Sequence, residues 1–401
     1  MVATVVEAAS LAGRLESLID DFRRGSVSMK ADDRRRLSET ARKLSFALET
    51  PGDTIHRVTM AAFQLPLVCV GVERKLFDVL AGVEDTATNQ ELAEKTGVDP
   101  VLLKRILRYY QAFDIVSQPG DDAYTANNIT RAFTTPGGHV APPFYLETII
   151  PSAIALPQFL RENGYVNIDN TNHSSWQLGH QTDKSFFPWL EANPKQMELF
   201  LQWMKLQRDD LPTFLDVFDV RQELARGSTD STPLFVDIGG ALGHQCIAFK
   251  KKYPDIPGRI ILQDQQGVIQ RVRENPLPGF EGIETQVYDF FTPQPLKGAR
   301  AYYISHVLHD WPDHTCVEIL KNLKAGMTEE SKLLIDEMVL PERGAQWRSV
   351  QYDIIMGTSL AAMERSYNDW AAIIDRAGLK IQMVWKHTKE LDEAVIVAIL
   401  K

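Results

Sequence analysis

Asp237, Asp264, Asp289, His306, His309 and Glu337 all stand at or just past the carboxyl ends of short apolar segments. That is where ligands gather when strands lie parallel. Asp237 closes the run 234–237 and leads into a turn where Gly239, Gly240 and Gly243 lack the Cβ atoms that would keep a ligand off the backbone. Glycines at this spacing also make plain tight turns, so the turn alone admits both readings. A second apolar segment, 259–264, again ends in an acid. Asp264 lies about 20 residues beyond the glycines, at the distance where a carboxylate can take both hydroxyls of a ribose. These residues describe a nucleotide-type cofactor site. His309 taken singly reads as a satisfied structural histidine.

The elements that must position these groups follow from periodicity. Apolar segments at 234–237, 260–264, 284–288, 301–304, 332–336, 380–385 and 393–400 alternate with helical stretches. Repeated βα alternation predicts an α/β fold, a doubly wound Rossmann-like sheet over 231–401 with helices on both faces. Residues 1–135 read as predominantly helical. Leu11, Leu15, Leu18, Ile19 and Phe22 share one face, and Leu37, Ala41, Leu44 and Leu48 another, and both need a covering surface.

Within 86–126, Asp99 as N-cap, Pro100 at the first helical position and two short strands describe a helix-turn-helix with a wing. Its second helix carries Lys104, Arg105 and Arg108, which could face DNA, and Leu103, Ile106, Leu107 and Tyr110, which could form a core stripe. A packing role fits the acidic chain, and predicts that the basic face is buried. The segment 136–230 is rich in aromatic and sulfur side chains and reads as a helical cap over a substrate. Phe187, Phe200, Trp203 and Met204, with Met356 further on, are the candidates to line an apolar pocket.

The 401 residues suffice for two or three domains, and 44% hydrophobic with 24% charged residues is ordinary for a globular protein. A net charge of −10, from 43 basic and 53 acidic residues, argues against nucleic acid or an anionic membrane as partner. Three cysteines, Cys69, Cys246 and Cys316, lie far apart without CxxC spacing, so neither a disulfide framework nor a zinc site is expected. Without a basic segment followed by a long apolar core near residue 1, the expected location is the cytoplasm. No metal is expected, since no His and carboxylate cluster at ligand spacing occurs apart from the His309 group.

The order of motifs resembles the caffeate-type small-molecule O-methyltransferases, specifically their fungal secondary-metabolism branch. The likeness spans nearly the whole chain: Val236-Asp-Ile-Gly-Gly240, Gln263-Asp264, Tyr288-Asp-Phe-Phe291, Ser305-His-Val-Leu-His-Asp-Trp-Pro312, Ile335-Asp-Glu-Met-Val-Leu-Pro341 and Met363-Glu-Arg365. The resemblance implies S-adenosylmethionine as cofactor and S-adenosylhomocysteine as product. It assigns Asp237 and the glycines to the methionine end, Asp264 to the ribose hydroxyls, and Asp289 with Phe290 to the adenine, with Gln265 and Ser305 also at the cofactor. It also implies a homodimer interleaved through the N-terminal helices, and an apolar aromatic acceptor carrying a phenolic hydroxyl.

His309 becomes the general base in that reading, with Asp310 beside it and Glu337 and Glu364 as flanking carboxylates that fix its tautomer. Arg365 would anchor Glu364 or the local backbone. Two positions depart from the family pattern. Ala241 stands where a third glycine is common, and is tolerable if its φ is negative. Ser305 stands where a lysine or arginine is common, four residues before His309. That leaves a cofactor-facing position without its cation, for which His306 could substitute, or His306 could face the substrate. Two other readings stay open: a member of this fold that retains S-adenosylmethionine but catalyses a dehydration or pericyclic rearrangement, and a winged-helix regulator.

Overall fold

The computed structural model describes residues 5–23, 25–207 and 211–401. It divides into two compact units. One comprises Met1–Thr148 with Glu198–Gln207, the other Ile149–Met197 with Arg208–Lys401. The stretch 136–230, expected as one cap, is therefore shared between them.

In the second unit the strands are β3 (Pro233–Ile238), β4 (Arg259–Asp264), β5 (Glu284–Val287), β6 (Ala301–Ser305), β7 (Lys332–Leu340), β8 (Arg365–Ser366), β9 (Leu379–Lys386) and β10 (Glu393–Leu400); β1 (Ser117–Gly120) and β2 (Ala123–Thr125) form a separate hairpin in the first unit. The main sheet runs β5-β4-β3-β6-β7-β10-β9, with the short β8 paired to β7. Strands β3 to β7 are parallel, and β10 is antiparallel to both β7 and β9. Chain order reverses on either side of β3, so the crevice beyond the carboxyl ends of β3, β4 and β6 is the switch point where ligands bind in such sheets.

Strands buried on both faces need apolar residues in unbroken runs, and Leu333–Ile335 in β7 is such a run. Side chains alternate between the faces. Val236, Ile238, Tyr302, Ile304, Leu333 and Ile335 pack on one side, while Leu234, Phe235, Tyr303, Leu334 and Val395 pack on the other. Asp336 and Glu337 interrupt β7 at consecutive positions and so emerge on opposite faces.

The first unit has its own core around Phe77, Leu80, Leu103, Ile106, Leu107 and Tyr110. Helix Pro100–Ala112 begins as its sequence predicts, with the Asp99 side chain accepting from the amides of Val101 and Leu102 and Pro100 in the first turn. The apolar stripe is buried, but Lys104, Arg105 and Arg108 are exposed, which corrects the expectation that this basic face is covered. The reason is geometric: residues 104, 105 and 108 lie on the side of the helix opposite 103, 106, 107 and 110. Helices Ala31–Leu48 and Pro51–Met60 bury no residue within the chain, and Leu48, Ile55, Val58 and Phe63 are exposed. The helical run Pro51–Glu73 is long and apolar enough to cross a membrane by length and composition alone, which by itself is weak support for a span.

Candidate active site

The glycine turn joins β3 to helix His244–Lys252 through left-handed backbone at Gly239 (φ 68°), Ala241 (φ 48°) and Gly243 (φ 81°). A Cβ at Gly240 would lie 2.4 Å from the Asp237 carboxylate, and one at Gly243 would lie 2.6 Å from the Phe280 ring. Neither position tolerates a side chain. Ala241 does not meet its condition of negative φ, since it carries a methyl group in a region that disfavours L-residues by about 1–2 kcal/mol. Its amide nevertheless does a job there, donating to Asp264 Oδ2 at 2.9 Å.

Asp237 is buried, and the Cys246 thiol donates to its Oδ2 at 3.6 Å. Burial pushes its carboxyl up to about 7 despite that contact, with Asp264 adding to the rise. Asp264 Oδ1 accepts from the Gln265 amide at 2.7 Å, so each of its oxygens is aimed by one backbone N–H and keeps a lone pair for a hydroxyl. Burial raises this carboxyl too, against the two amides.

Ile238, Gly239, Asp264, Gln265, Tyr288, Asp289 and Phe290 line one cleft at the ends of β3 and β4. Asp289 Oδ1 takes the Phe291 amide at 3.0 Å and Tyr288 bonds the Thr292 carbonyl at 2.9 Å, which fixes the loop. The bare cradle at Gly240, the Asp264 carboxylate with a lone pair left on each oxygen and the flat face of Phe290 fit an adenosine-type cofactor.

Across the strand ends lies the His309 group. Glu337 Oε1 accepts from three successive amides, Val307 (3.0 Å), Leu308 (2.9 Å) and His309 (3.3 Å), so this buried carboxylate holds the turn that carries the histidine. Its Oε2 has no hydrogen-bond partner and lies 3.8 Å from His309 Nδ1. Glu364 Oε1 is closer, at 2.8 Å from the same nitrogen, and Glu364 Oε2 is again unpartnered. Asp310 Oδ1 lies 3.5 Å from Nε2.

Burial opposes charge on His309, but Glu364, Glu337 and Asp310 outweigh it and push its pKa up to about 10. Burial also raises Glu337, against the attraction of His309. The ligand atoms of His309, Glu337 and Glu364 lie within 4.8 Å of one another, a spacing that could hold an ion. Arg365 is fully buried and binds Asp313 (2.9 Å) and the carbonyls of Leu308, Met363 and Trp311, so it clamps the backbone around His309 rather than the Glu364 carboxylate.

Ser305 and His306 form a group of their own. Ser305 Oγ is 2.8 Å from His306 Nδ1, and His306 Nε2 is 3.1 Å from Glu393 Oε1. The His306 ring stands edge-on to His309, with centroids 5.6 Å apart. Behind them, Tyr303 donates to Asp336 Oδ2 at 2.6 Å and His387 Nε2 lies 2.7 Å from Asp336 Oδ1. Glu393, Asp336, Tyr303 and His387 escaped the sequence reading. Glu393 begins an antiparallel strand instead of ending a parallel one, so a search of strand carboxyl ends passes over it, although a lone acid heading the apolar run 394–400 is a visible signal.

The pocket candidates divide. Met356 is buried on helix Trp347–Leu360, and Phe187 packs edge-on to Phe186, both in the second unit. Phe200 packs against Phe144, and Trp203 against Tyr145 with Nε1 donating at 3.3 Å to its hydroxyl. These two belong to the first unit, as does the more exposed Met204.

A doubly wound sheet with an adenosine-type cleft at its switch point and a carboxylate-flanked histidine beside it defines a class I methyltransferase fold. The chain belongs to the O-methyltransferase family, whose domain pattern matches residues 200–380. It is 34% identical over 395 residues to the O-methyltransferase lepI of Aspergillus flavus, covering 98% of each chain. To the demethylsterigmatocystin 6-O-methyltransferase of Aspergillus parasiticus it is 34% identical over 374 residues, 93% of this chain and 95% of that one. Among solved structures, LepI in complex with SAM superposes with a TM-score of 0.88 at 33% identity, covering 98% of this chain and all of LepI. A structure described as a pericyclic reaction enzyme matches to the same extent.

Proposed function

We propose that this protein transfers a methyl group from S-adenosylmethionine to a phenolic hydroxyl of an apolar, aromatic natural product, releasing S-adenosylhomocysteine. The cofactor, when bound, supplies a methyl group activated by a sulfonium. Asp237 and the glycine turn take its amino-acid end, Asp264 the ribose hydroxyls, and Asp289 with Phe290 the adenine. The observation that carries the reading is His309 Nδ1 held at 2.8 Å by buried Glu364, which leaves Nε2 as the atom to receive the acceptor's proton.

The flanking carboxylates hold His309 mostly charged at neutral pH, so the neutral imidazole that takes the acceptor's proton grows as pH rises toward about 10. Arg365 and the Glu337 nest keep the histidine from drifting as the acceptor binds, since displacement of about 1 Å can cost about a hundredfold in rate. Phe187 and Met356, both of the second unit, are proposed to line the acceptor pocket. The exposed apolar faces of 31–63 are proposed to be covered by a second copy in a homodimer.

The same raised pKa supports a second reading. A histidine charged at neutral pH is a better hydrogen-bond donor than base, which suits a rearrangement or dehydration in which the cofactor is retained, and a close structural neighbour is described as a pericyclic reaction enzyme. Incubation with methyl-labelled S-adenosylmethionine and a panel of phenolic polyketides separates the two. Label in the acceptor is expected; product formed without label transfer sinks methyl transfer in favour of the second reading.

A further inference from the structure

Ser305 sits at the last position of β6. Ile304 pairs in register with Ile238 of β3, so Ser305 flanks Gly239 at the start of the glycine turn, and Gly239 approaches the following loop closely enough that a Cβ there would lie 3.1 Å from Val307. Asp237 pairs with Tyr303, and residues two apart on a strand share a face, so the Ser305 hydroxyl and the Asp237 carboxylate lie on one face of the sheet at the mouth of the turn.

The hydroxyl is not free to choose its polarity. Glu393 is buried, its side chain 2% exposed, and is held in place by its own amide donating to Thr388 Oγ1 at 3.1 Å. A buried carboxylate against a ring nitrogen fixes the tautomer by accepting the N–H. In the neutral imidazole His306 Nε2 therefore carries the proton toward Glu393, and Nδ1 is left as an acceptor 2.8 Å from Ser305 Oγ. Ser305 then donates to Nδ1, with the Tyr303 hydroxyl as its other hydrogen-bonding neighbour, and offers a ligand the lone pairs of Oγ.

The His306 backbone supports this purpose. It is held at φ 51°, left-handed for a residue with a Cβ, with its amide bonded to the Asp336 carbonyl at 3.1 Å. Such strain persists where the surroundings over-determine it and clusters at ligand sites.

We infer that Glu393, His306 and Ser305 form a relay that makes Ser305 a hydrogen-bond acceptor for the ammonium group at the amino-acid end of the cofactor, beside Asp237. Ser305 is the contacting residue; His306 and Glu393 are positioning residues. The inference rests on the reading of the cleft as an S-adenosylmethionine site. It replaces the missing cation at position 305 with the opposite polarity: this site reads the amino group, not the carboxylate.

The test compares two probes by calorimetry, S-adenosylhomocysteine and its desamino analogue, which keeps the carboxylate. A hydrogen bond to a charged group is worth about a tenfold or larger change in affinity. Ser305→Ala is expected to weaken S-adenosylhomocysteine about tenfold and leave the desamino analogue unchanged. Glu393→Gln should reproduce that selective loss. Histidine 15N shifts of the full-length protein should show His306 protonated at Nε2 alone, and a change of that signature in Glu393→Gln. Equal losses for both probes, a larger loss for the desamino analogue, or a His306 proton on Nδ1 overturns the relay. Failure of the wild type to bind S-adenosylhomocysteine at all would overturn the cofactor reading itself.

Discussion

His306 and His309 lie three residues apart on one loop, each against a buried glutamate, yet their surroundings give them different work. His309 faces three carboxylates, Glu364 at 2.8 Å, Asp310 at 3.5 Å and Glu337 at 3.8 Å, with only Glu364 in tight contact. His306 has Glu393 on one nitrogen and the Ser305 hydroxyl on the other. The first arrangement favours a charged ring, with Asp310 3.5 Å from the Nε2 proposed to meet the acceptor. The second spends both nitrogens on neighbours, so it can only orient. The carboxylates around each ring, not the residue type, set the proposed base apart from the proposed positioning group.

That contrast is sharpest at His309 itself. His309→Ala is expected to lower label transfer by about 10²–10⁴-fold while S-adenosylhomocysteine binds as in wild type, the usual span for a general base. Substantial turnover by this variant would remove the distinction between the two histidines. Next in size, Glu364→Gln removes the main attraction raising His309, so its pKa must fall from about 10 toward the ordinary value. Because only the neutral imidazole accepts a proton, the wild-type rate at saturating cofactor should still be climbing with pH above neutrality. In Glu364→Gln the climb should end at lower pH; an unmoved profile would show that Glu364 does not set the charge of His309.

Cofactor affinity should carry its own, smaller pH dependence. With Asp237 pushed up to about 7, its ionised form, which attracts an ammonium, gives way to the neutral form as pH falls through that value. Binding of S-adenosylhomocysteine should therefore weaken between pH 8 and pH 6 by a few fold, and Asp237→Asn should flatten the curve. The smallest effect is at the turn: Ala241→Gly removes a left-handed alanine and should raise the denaturation midpoint by an amount equivalent to about 1 kcal/mol. A lower midpoint would mean that the methyl group is packed to advantage.

Much of the site was legible because parallel strands gather their ends. Asp264, Gln265, Asp289 and Phe290, spread over 27 positions from 264 to 290, line one cleft with Gly239. The His309, Glu337 and Glu364 triad likewise assembled from three separate motifs. Glu393 was not legible because its partner His306 lies 87 residues earlier, joined only by the antiparallel insertion of β10 beside β7. The role of Arg365 was readable only to a choice between anchoring a carboxylate and clamping the backbone, and three carbonyls and Asp313 decided it. The basic face of Pro100–Ala112 was misjudged because helical periodicity shows which residues share a side, not what covers that side.

By itself the sequence determined the sheet, the glycine turn and the identity of the titratable groups, because strand period, glycine placement and residue chemistry are local properties. Tertiary structure alone decided polarity and charge. It set His309 among three carboxylates, brought His306 into contact with Glu393, and placed Ala241 in a left-handed turn. Coulombic and desolvation energies depend on separations through space, and those exist only after the strands have paired.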